Sequence, residues 1–473
     1  MTQHIKAKFN VNFVTTGGFL FFIFTACFSF WLGDLWRPYN YLKGHSNFVW
    51  DMFGYYSYLP STFLNHGSFQ FNETVQNFNP QLPNGQFMPK YTYGLAILQL
   101  PFFLLAMLFE KLQGNVGTGF SNYYCVFQEV GTLVYVLVGL YLLRKVLLCY
   151  YREFSTTVAL FVIVFGTILF MYTFVQAQMP HAYLFFLVSV LIYFTSEYYQ
   201  TQRLKYIWFS AFAWALIVLI RPTEIVFFFF FLFWQVYDFK QAKERVLAFV
   251  SNYKLVLPFA FALGLVWLPQ LIFWKKFTGT YFFDSYVNEQ FFWLDPQLLN
   301  VWFSYRKGLF VYTPAVLLSV IGLFIIKKNS PFSAWLYLGI FVLLSYVYSC
   351  WWTWDFGGCF GARSFTHHLA YLIFPLSALI DKVNDATKTF VLQRLAVLAL
   401  YTACFSVVCL NIGQSYQYQV QRTIDPIGMS KDLYWETFTK YQHNENFQKN
   451  FYFKHLHPAN ADDWRKGINR SDN

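Results

Sequence analysis

Charged residues are scarce in this chain. Asp, Glu, Lys and Arg together make up 12% of its 473 residues, about half of their share in an average soluble domain. Aromatic residues, by contrast, reach 24%. A soluble domain lacks the interior to bury that much apolar surface, whereas a bilayer accommodates it. The composition therefore excludes a soluble enzyme and predicts an all-α fold, a polytopic bundle of transmembrane helices.

Motifs that bind nucleotides or mark common hydrolases are absent from the sequence. It contains no P-loop, no Gly-x-Gly-x-x-Gly after a predicted strand, no His-Glu-x-x-His and no Gly-x-Ser-x-Gly. The predicted outer loops also lack an Asp-x-Asp pair that would hold a divalent cation. We therefore expect no nucleotide cofactor and no metal.

Neither the cysteines nor the net charge indicates a cofactor or a nucleic-acid partner. The seven cysteines show no zinc or redox spacing, although the short interval between Cys350 and Cys359 leaves a disulfide open. The net charge of +11 comes from basic residues dispersed between apolar segments rather than from a basic stripe. Anchoring of Lys and Arg on the inner side of a membrane explains this distribution.

Apolar segments recur along the chain, and threading them with the basic loops inside predicts about eleven spans of roughly 20 residues. The predicted spans are 11–33, 124–143, 154–174, 182–199, 206–220, 223–237, 255–274, 309–326, 332–350, 365–380 and 392–411. The first span lacks a cleavage site and is predicted to remain in the protein. The N-terminus is then inside and the C-terminus outside. The chain divides into a transmembrane domain, 1–411, with a long first outer loop, 34–123, and an outer C-terminal cap, 412–473.

Residues 91–109 test this threading. The segment is apolar enough for another span, but counting it would move Arg144, Lys145 and Arg152 to the outside and so violate the positive-inside bias. We therefore predict two helices that lie in the outer interface and are broken near Pro101.

Asp51 follows the first span and sits among aromatic residues, including Tyr55 and Tyr56. Partial desolvation among such side chains is expected to raise the pKa of the carboxyl, which suits a general base. The alternative is a helix cap or a loop ion pair. The two tyrosines are candidates for contacting a substrate.

Basic side chains accompany Asp51 on the predicted outer side. Lys90, Arg221 and Arg306 each lie at the end of an apolar segment, where a cation either binds phosphate or anchors the chain at the interface. Arg221 has a further alternative, a structural pair with Glu224 at a spacing of three residues. His181 lies in a short outer loop as either a hydrogen-bonding group or a catalyst.

The loop 350–363 carries the most specific pattern in the sequence. Trp351 fits an aromatic belt at the membrane surface, but Trp354, Asp355, several glycines and Arg363 follow within the same short loop. Glycine allows the backbone to approach a ligand closely, indole faces suit sugar rings, and a guanidinium offers a planar fork for phosphate. The pattern favours a binding loop.

These elements together resemble the GT-C glycosyltransferases of the protein O-mannosyltransferase and lipid A aminoarabinose transferase type. Asp51 matches the early catalytic Asp of that family, the Lys90 segment is similar to a Lys-Pro-Pro-Leu stretch, and the loop from Trp351 to Arg363 is similar to a Trp-x-x-Trp-x-Gly-Gly loop. The chain departs from the family in three places. Met52 stands where many members have a second acid, the His181 region replaces an Asp, and Tyr91-Thr-Tyr-Gly-Leu replaces Pro-Pro-Leu.

The resemblance implies an enzyme of the bacterial inner membrane that works on the periplasmic side. Its donor is a sugar on a polyprenyl phosphate, and its acceptor is a protein, lipid A or another glycan. Transfer inverts the anomeric centre without a metal. The implied roles are general base for Asp51, phosphate binding for Lys90, Arg221, Arg306 and Arg363, and sugar or acceptor binding for Tyr55, Tyr56, His181, Trp351, Trp354 and Asp355.

Two other functions remain open from the sequence. A flippase or polymerase for lipid-linked glycans would also need outward cations and aromatic residues, although transporters usually show repeats and interrupted polar helices at the membrane midplane. A non-catalytic subunit of an envelope assembly is the other alternative, but it leaves the loop 350–363 unexplained.

Overall fold

The computed structural model describes residues 48–71, 79–115, 117–286, 289–326, 330–385 and 391–440. Within these ranges the protein is all-α, as predicted, and its β pairing is limited to the two isolated bridges Gln81–Phe87 and Phe291–Trp351. The predicted span 11–33, the start of the first outer loop and residues 441–473 lie outside the described ranges.

The helices in chain order are α1 (Trp50–Tyr56), α2 (Tyr58–Phe63), α3 (Gly94–Leu112), α4 (Asn122–Leu147), α5 (Glu153–Phe165), α6 (Leu169–Phe174), α7 (Pro180–Thr201), α8 (Leu204–Ile220), α9 (Phe228–Leu232), α10 (Phe239–Ser251), α11 (Tyr253–Thr278), α12 (Leu298–Phe303), α13 (Leu309–Tyr312), α14 (Ala315–Leu323), α15 (Ala334–Cys350), α16 (Leu369–Asp385), α17 (Val391–Tyr416) and α18 (Lys431–Thr437). Two 3-10 segments, Pro222–Phe227 and Arg363–His368, precede α9 and α16, and a π-helical turn, Gln417–Gln421, extends α17.

Helix lengths and hydropathy identify a membrane protein. In the described part of the chain, five helices are long and apolar enough to cross a bilayer, namely α3, α4, α7, α11 and α17 with its π-helical turn. Shorter apolar helices, among them α5, α8 and α15, pack between them. The total number of spans stays a prediction.

Three predicted spans are interrupted in the structure. Residues 154–174 form α5 and α6 with a break that begins at Gly166, and residues 309–326 form α13 and α14 with a break at Pro314, which has no backbone N–H to continue a helix. Residues 223–237 form a 3-10 segment and the short α9. A window of average hydropathy does not detect such breaks, because the broken segments are as apolar as the intact ones.

The predicted break near Pro101 is wrong, because α3 is a single helix with Pro101 inside it. The turn before the proline has carbonyl groups that bind side chains of α4. Gln128 donates to the Gln99 carbonyl at 3.0 Å and Tyr135 donates to the Leu98 carbonyl at 2.8 Å. The N–H that Pro101 lacks would have bound the Ile97 carbonyl, so these contacts lie next to the group that the proline frees. The predicted interfacial position of the segment stays a prediction.

The bundle has two ends that we name by their helices. At the α3 end, the start of α3 meets the end of α8, where Gly94 lies so close to Ile220 that a Cβ would be 2.8 Å from its side chain. At the α10 end, Arg152 before α5 binds Asp381 near the end of α16 at 2.9 Å. α16 runs between the two ends through the core, and every residue from Leu369 to Ile380 is buried.

The last long helix ends later than predicted. α17 continues past the predicted end of the span at Asn411 to Tyr416. The following residues up to 440 pack on the α3 end, where Tyr434 lies 5.2 Å from Tyr305 between ring centroids and Lys307 donates to the Pro426 carbonyl at 2.7 Å. The separate cap 412–473 stays a prediction.

Candidate functional site

A cavity of about 720 Å³ opens at the α3 end. Its wall combines α1, the segment before α3, the start of α7, the end of α8, and the loops 281–291 and 351–363. Seven residues that the sequence analysis singled out line this one cavity, and they are Asp51, Tyr55, Lys90, His181, Arg221, Trp351 and Arg363.

Asp51 binds two partners in the cavity wall. One carboxylate oxygen accepts a hydrogen bond from the Tyr91 hydroxyl at 2.5 Å, and the other lies 2.7 Å from Nη2 of Arg363. The residue before it, Trp50, has a left-handed backbone with φ of 51° and a side chain that is 58% exposed. Such a conformation is costly for a bulky residue, and it begins the helix that carries the carboxylate.

The pKa of Asp51 is lowered, which corrects the prediction that it would be raised. Burial does raise the pKa of this carboxyl, but the charge of Arg363, the Tyr91 hydrogen bond and the charge of Lys90 outweigh burial. Asp51 is therefore ionised at neutral pH. Burial also raises the pKa of Tyr91 well above its usual value, so its hydroxyl keeps the proton that it donates.

Arg221 is held from behind by a buried polar network. Its Nε lies 3.7 Å from Glu224, and its guanidinium lies over the ring of Tyr348 at 5.3 Å. Glu224 is fully buried, accepts a hydrogen bond from Tyr348 at 2.6 Å and contacts His367 at 3.2 Å. The predicted alternative of an Arg221–Glu224 pair is thus present, and the same arginine also faces the cavity.

Lys90 pairs with Glu289 from the loop 281–291. Its ammonium group also lies 4.8 Å from the ring centroid of Tyr286, and the Ser285 hydroxyl donates to its carbonyl at 2.5 Å. The loop therefore joins the segment before α3 to the cavity wall.

His181 is a buried histidine without hydrogen bonds. The side chain is 4% exposed and packs edge-on against Tyr172 at 4.9 Å between ring centroids. Among the described residues, neither of its ring nitrogens has a hydrogen-bond partner. Both ring nitrogens are shielded from solvent, so His181 contributes the face of its ring rather than a hydrogen-bonding group to the cavity wall.

The loop 351–363 forms the aromatic side of the cavity. Trp351 packs 4.7 Å from Phe291 and 5.7 Å from Tyr286 between ring centroids. Phe356 and Gly357 have φ angles of 57° and 71°, so the glycine allows the loop to turn beside the cavity.

The disulfide left open by the sequence does not form. Within this described segment, Cys350 and Cys359 are buried thiols that are not bonded to each other. Cys359 instead donates to the Asp355 carbonyl at 3.5 Å.

Four predicted site residues lie outside the cavity lining. Arg306 binds Asp355 at 2.7 Å and the Ile427 carbonyl at 2.9 Å, with both charged side chains buried. The same guanidinium lies 5.8 Å from the ring centroid of Trp354. Tyr56 is buried and donates to the Gly119 carbonyl at 2.6 Å. These residues hold the loop 351–363 and α1 in position outside the lining, and their predicted contacts with phosphate or sugar stay predictions.

Glu224, His367 and His368 are the described residues closest to a metal site, with ligand atoms within 4.8 Å of one another. Both nitrogens of His368 already contact tyrosine hydroxyls, at 2.9 and 2.6 Å. Glu224 also faces the Arg221 guanidinium, whose positive charge opposes a second cation. The donor set therefore does not fit a metal ion.

Several cavity residues escaped the sequence analysis. Tyr91, Asp284, Tyr286 and Glu289 line the cavity, and His367 lies behind it. The run 281–291 combines aromatic residues with Asp284 and Glu289 in a predicted outer loop, and acids among aromatic residues are the signal that singled out Asp51. His367 falls inside a predicted span, where an ionisable residue is a functional candidate by default.

No protein-family model matches the chain, and no curated protein matches its sequence. Solved structures do match, among them the archaeal oligosaccharyltransferase AglB from Archaeoglobus fulgidus, determined with an inhibitory peptide and a dolichol-phosphate. The match covers 94% of this chain with a TM-score of 0.45 and 13% sequence identity, and the chain spans 60% of that structure. The similarity is to a membrane glycosyltransferase of the GT-C kind, the class that the motifs resemble. At this TM-score it carries no argument about function.

Proposed function

We propose that this protein is a membrane glycosyltransferase that transfers a sugar from a lipid-linked phosphate donor to an acceptor hydroxyl. One observation carries the proposal. A single aromatic-lined cavity at one end of an apolar bundle collects the ionised Asp51 and three cations, Lys90, Arg221 and Arg363. A lipid-linked phosphate needs cations for its headgroup and an apolar surface for its chain.

The charge balance of the reaction suits this set of residues. The acceptor oxygen forms a bond to the anomeric carbon, and the bond from that carbon to the phosphate oxygen breaks. The acceptor proton passes to Asp51. The leaving polyprenyl phosphate gains one negative charge, so cations fixed at that position stabilise the transition state more than the ground state. Arg221 and Arg363 have rigid donor forks suited to phosphate oxygens.

The pair between Arg363 and Asp51 couples donor binding to the basicity of the carboxylate. In the free protein the arginine holds the pKa of Asp51 down, which makes the carboxylate a weak base. A donor phosphate that binds Arg363 shares its charge and weakens that effect. Asp51 then becomes more basic when the donor is present, while Tyr91 keeps its orientation through the 2.5 Å hydrogen bond.

The aromatic side of the cavity offers surfaces for the sugar and the acceptor. Trp351, Trp352 and Tyr286 line it beside the phosphate-binding cations. The ring of His181 also lies in the wall of this cavity. We infer that the sugar lies between these groups, with the acceptor approaching from the exposed side near Trp50.

The wider setting follows from the threading of basic loops. We propose that the α3 end faces the periplasm of a bacterial inner membrane, where the donor reaches the cavity within the bilayer. The acceptor is a protein, lipid A or another glycan.

Asp51→Asn tests the proposal directly. Removal of a general base costs about 10²–10⁴-fold in rate, so we expect transfer from a polyprenyl-phosphate sugar by the purified protein to fall by that factor. The amide keeps the shape of the side chain, and binding of the lipid phosphate should remain. Transfer is measured as formation of glycosylated acceptor from a radiolabelled donor.

Asp432→Asn is the matched control, because Asp432 is an exposed acid in the first turn of α18. It should transfer at the wild-type rate. Asp51→Asn with wild-type turnover would remove Asp51 from the base role. Movement of labelled donor across vesicles without any transferred sugar would instead identify a flippase.

A further inference from the structure

α10 carries an apolar face that the rest of the described protein leaves uncovered. The helix spans Phe239–Ser251 and has no buried residue. Asp238 caps its first turn by accepting the Gln241 N–H at 2.8 Å, so it is a properly started helix. The helix lies at the end of the bundle that bears its name, away from the cavity at the α3 end.

The exposed apolar residues of α10 lie on one side. Val246 lies seven residues after Phe239, Val250 lies four residues after Val246, and Leu247 adjoins them. This spacing places all four on a single helix face. Phe239 is 85% exposed and Val250 is 69% exposed. Glu244 and Ala248 occupy the opposite side of the helix and are exposed to solvent.

The apolar face continues directly into a long exposed stripe on α11. Asn252 joins the two helices. The exposed apolar residues of α11 recur every three to four positions, and they are Tyr253, Leu257, Phe261, Leu265, Leu268 and Ile272. α11 is long and apolar enough to cross a bilayer, so this stripe is the side that lipid covers. A bilayer surface at the start of α11 also reaches α10.

Two lysines of α10 and one at the start of α11 give this region a charge that complements an anionic surface. Lys240, Lys243 and Lys254 are all exposed. Lys240 lies seven residues before Leu247, at the edge of the apolar face, and Lys243 lies on that face between Phe239 and Leu247, where its long stem lets the ammonium group reach the headgroups. A helix with apolar residues on one face and lysines at its edge lies flat in the lipid headgroup region and prefers anionic lipids.

We propose that α10 is an in-plane membrane-surface helix that binds anionic phospholipid headgroups at the end of the bundle opposite the cavity. Its apolar face enters the boundary between headgroups and acyl chains. Lys240, Lys243 and Lys254 contact the lipid phosphates. The proposal is independent of the proposed transferase activity.

Spin labels on the full chain in vesicles test the position of the helix. Cysteine is introduced at Leu247 or Val250 on the apolar face, and at Glu244 or Ala248 on the polar face, and each is labelled with a nitroxide. In vesicles of three parts phosphatidylcholine to one part phosphatidylglycerol, labels at 247 and 250 should collide more with oxygen than with a water-soluble nickel complex. Labels at 244 and 248 should show the reverse.

The background for these labels carries serine at Cys149 and Cys409, which are not buried, and at Cys27, which lies outside the described residues. Labels at 247 and 250 that remain accessible to the nickel complex would overturn the proposal. Strong dipolar coupling between labels of two copies at position 247 would also overturn it, because a second copy would then cover the face.

The lipid preference is tested with Lys240→Gln/Lys243→Gln. The melting temperature of the wild type should rise when phosphatidylglycerol is added to phosphatidylcholine, and this variant should lose at least half of that rise. Lys276→Gln/Lys431→Gln removes the same charge from exposed lysines elsewhere and should keep it. Equal losses in both variants would contradict a specific anionic contact at α10. Inorganic phosphate added without the lipid should produce no rise, and a rise equal to that from the lipid would point to free phosphate instead.

Discussion

Ion pairs at the two ends of the bundle differ in how far their side chains are exposed to solvent. At the α10 end, Arg152 is 50% exposed and its partners Asp381 and Asp385 are 25% and 73% exposed. At the α3 end, the paired side chains of Arg306 and Asp355 are only 9% and 1% exposed. Exposed pairs contribute about 0–1 kcal/mol to stability, whereas breaking a buried pair costs about 3–5 kcal/mol. A buried ion pair adds little net stability compared with apolar residues of the same size. Ion pairs buried around the cavity therefore favour a role in ligand binding over a role in stability.

The largest effect on stability is expected at Glu224. Glu224→Leu leaves Arg221 and His367 without their carboxylate, and we expect a loss of about 3 kcal/mol in the free energy of unfolding. Unfolding by titration with a denaturing detergent measures this loss. Asp385→Asn at the exposed end is the control and should change the free energy little. Equal costs for the two variants would remove the contrast between the ends.

Variants of two arginines at the α3 end distinguish a residue that binds the lipid phosphate from one that stabilises the fold. Arg363→Gln should weaken the binding of polyprenyl phosphate by about 10–100-fold, since a hydrogen bond to a charged group is worth about 1.5–3 kcal/mol. Arg306→Gln breaks the pair with Asp355 and should lower stability with an unchanged Kd for the lipid. Calorimetry in detergent measures both Kd values. A weaker Kd in the Arg306 variant alone would reverse the assignment.

The lowered pKa of Asp51 predicts how the stability of the protein depends on pH. Burial raises its pKa, but Arg363 and Tyr91 bring the net pKa below the usual value. Its stabilising contribution is therefore complete above the unfolded pKa of about 3.9 and is lost as the pH falls through the lower folded pKa. The difference in melting temperature between wild type and Asp51→Asn should be constant from pH 8 to about 5 and shrink below about 4. A difference that changes between pH 6 and 8 would show that Asp51 titrates there.

The smallest effect is expected at Arg152. Arg152→Ala should change the free energy of unfolding by no more than about 1 kcal/mol, and added salt should screen most of that. A double-mutant cycle with Asp381→Asn measures the coupling. A coupling as large as the one between Glu224 and Arg221 would show that exposure does not separate the two ends.

The helical class and the convergence of the cavity residues were predictable from the sequence. Positive-inside threading predicts one common side for Asp51, Lys90, His181, Arg221 and Arg363, and they line one cavity. Basic loops and apolar lengths are local properties of the sequence, and they were enough to bring these residues together, while the number of spans and their orientation stay predictions.

Other features depend on partners that no local pattern reveals. α3 continues through Pro101, and α4 packs beside the proline with side chains bound to the Leu98 and Gln99 carbonyls. The pKa of Asp51 falls because Arg363, distant in sequence, lies beside it. Arg306 matches a phosphate-binding pattern yet is bound to Asp355 and the Ile427 carbonyl. Each outcome is decided by a tertiary contact.

The internal pairing of the cavity cations has a consequence for selectivity among lipids. Lys90 and Arg363 each pair with a carboxylate that also lines the cavity, so a headgroup that binds these cations must compete with an internal anion. A phosphate makes that exchange at little electrostatic cost, whereas an uncharged headgroup such as that of diacylglycerol has nothing to offer in return. The cavity can thereby reject the neutral lipids that surround it.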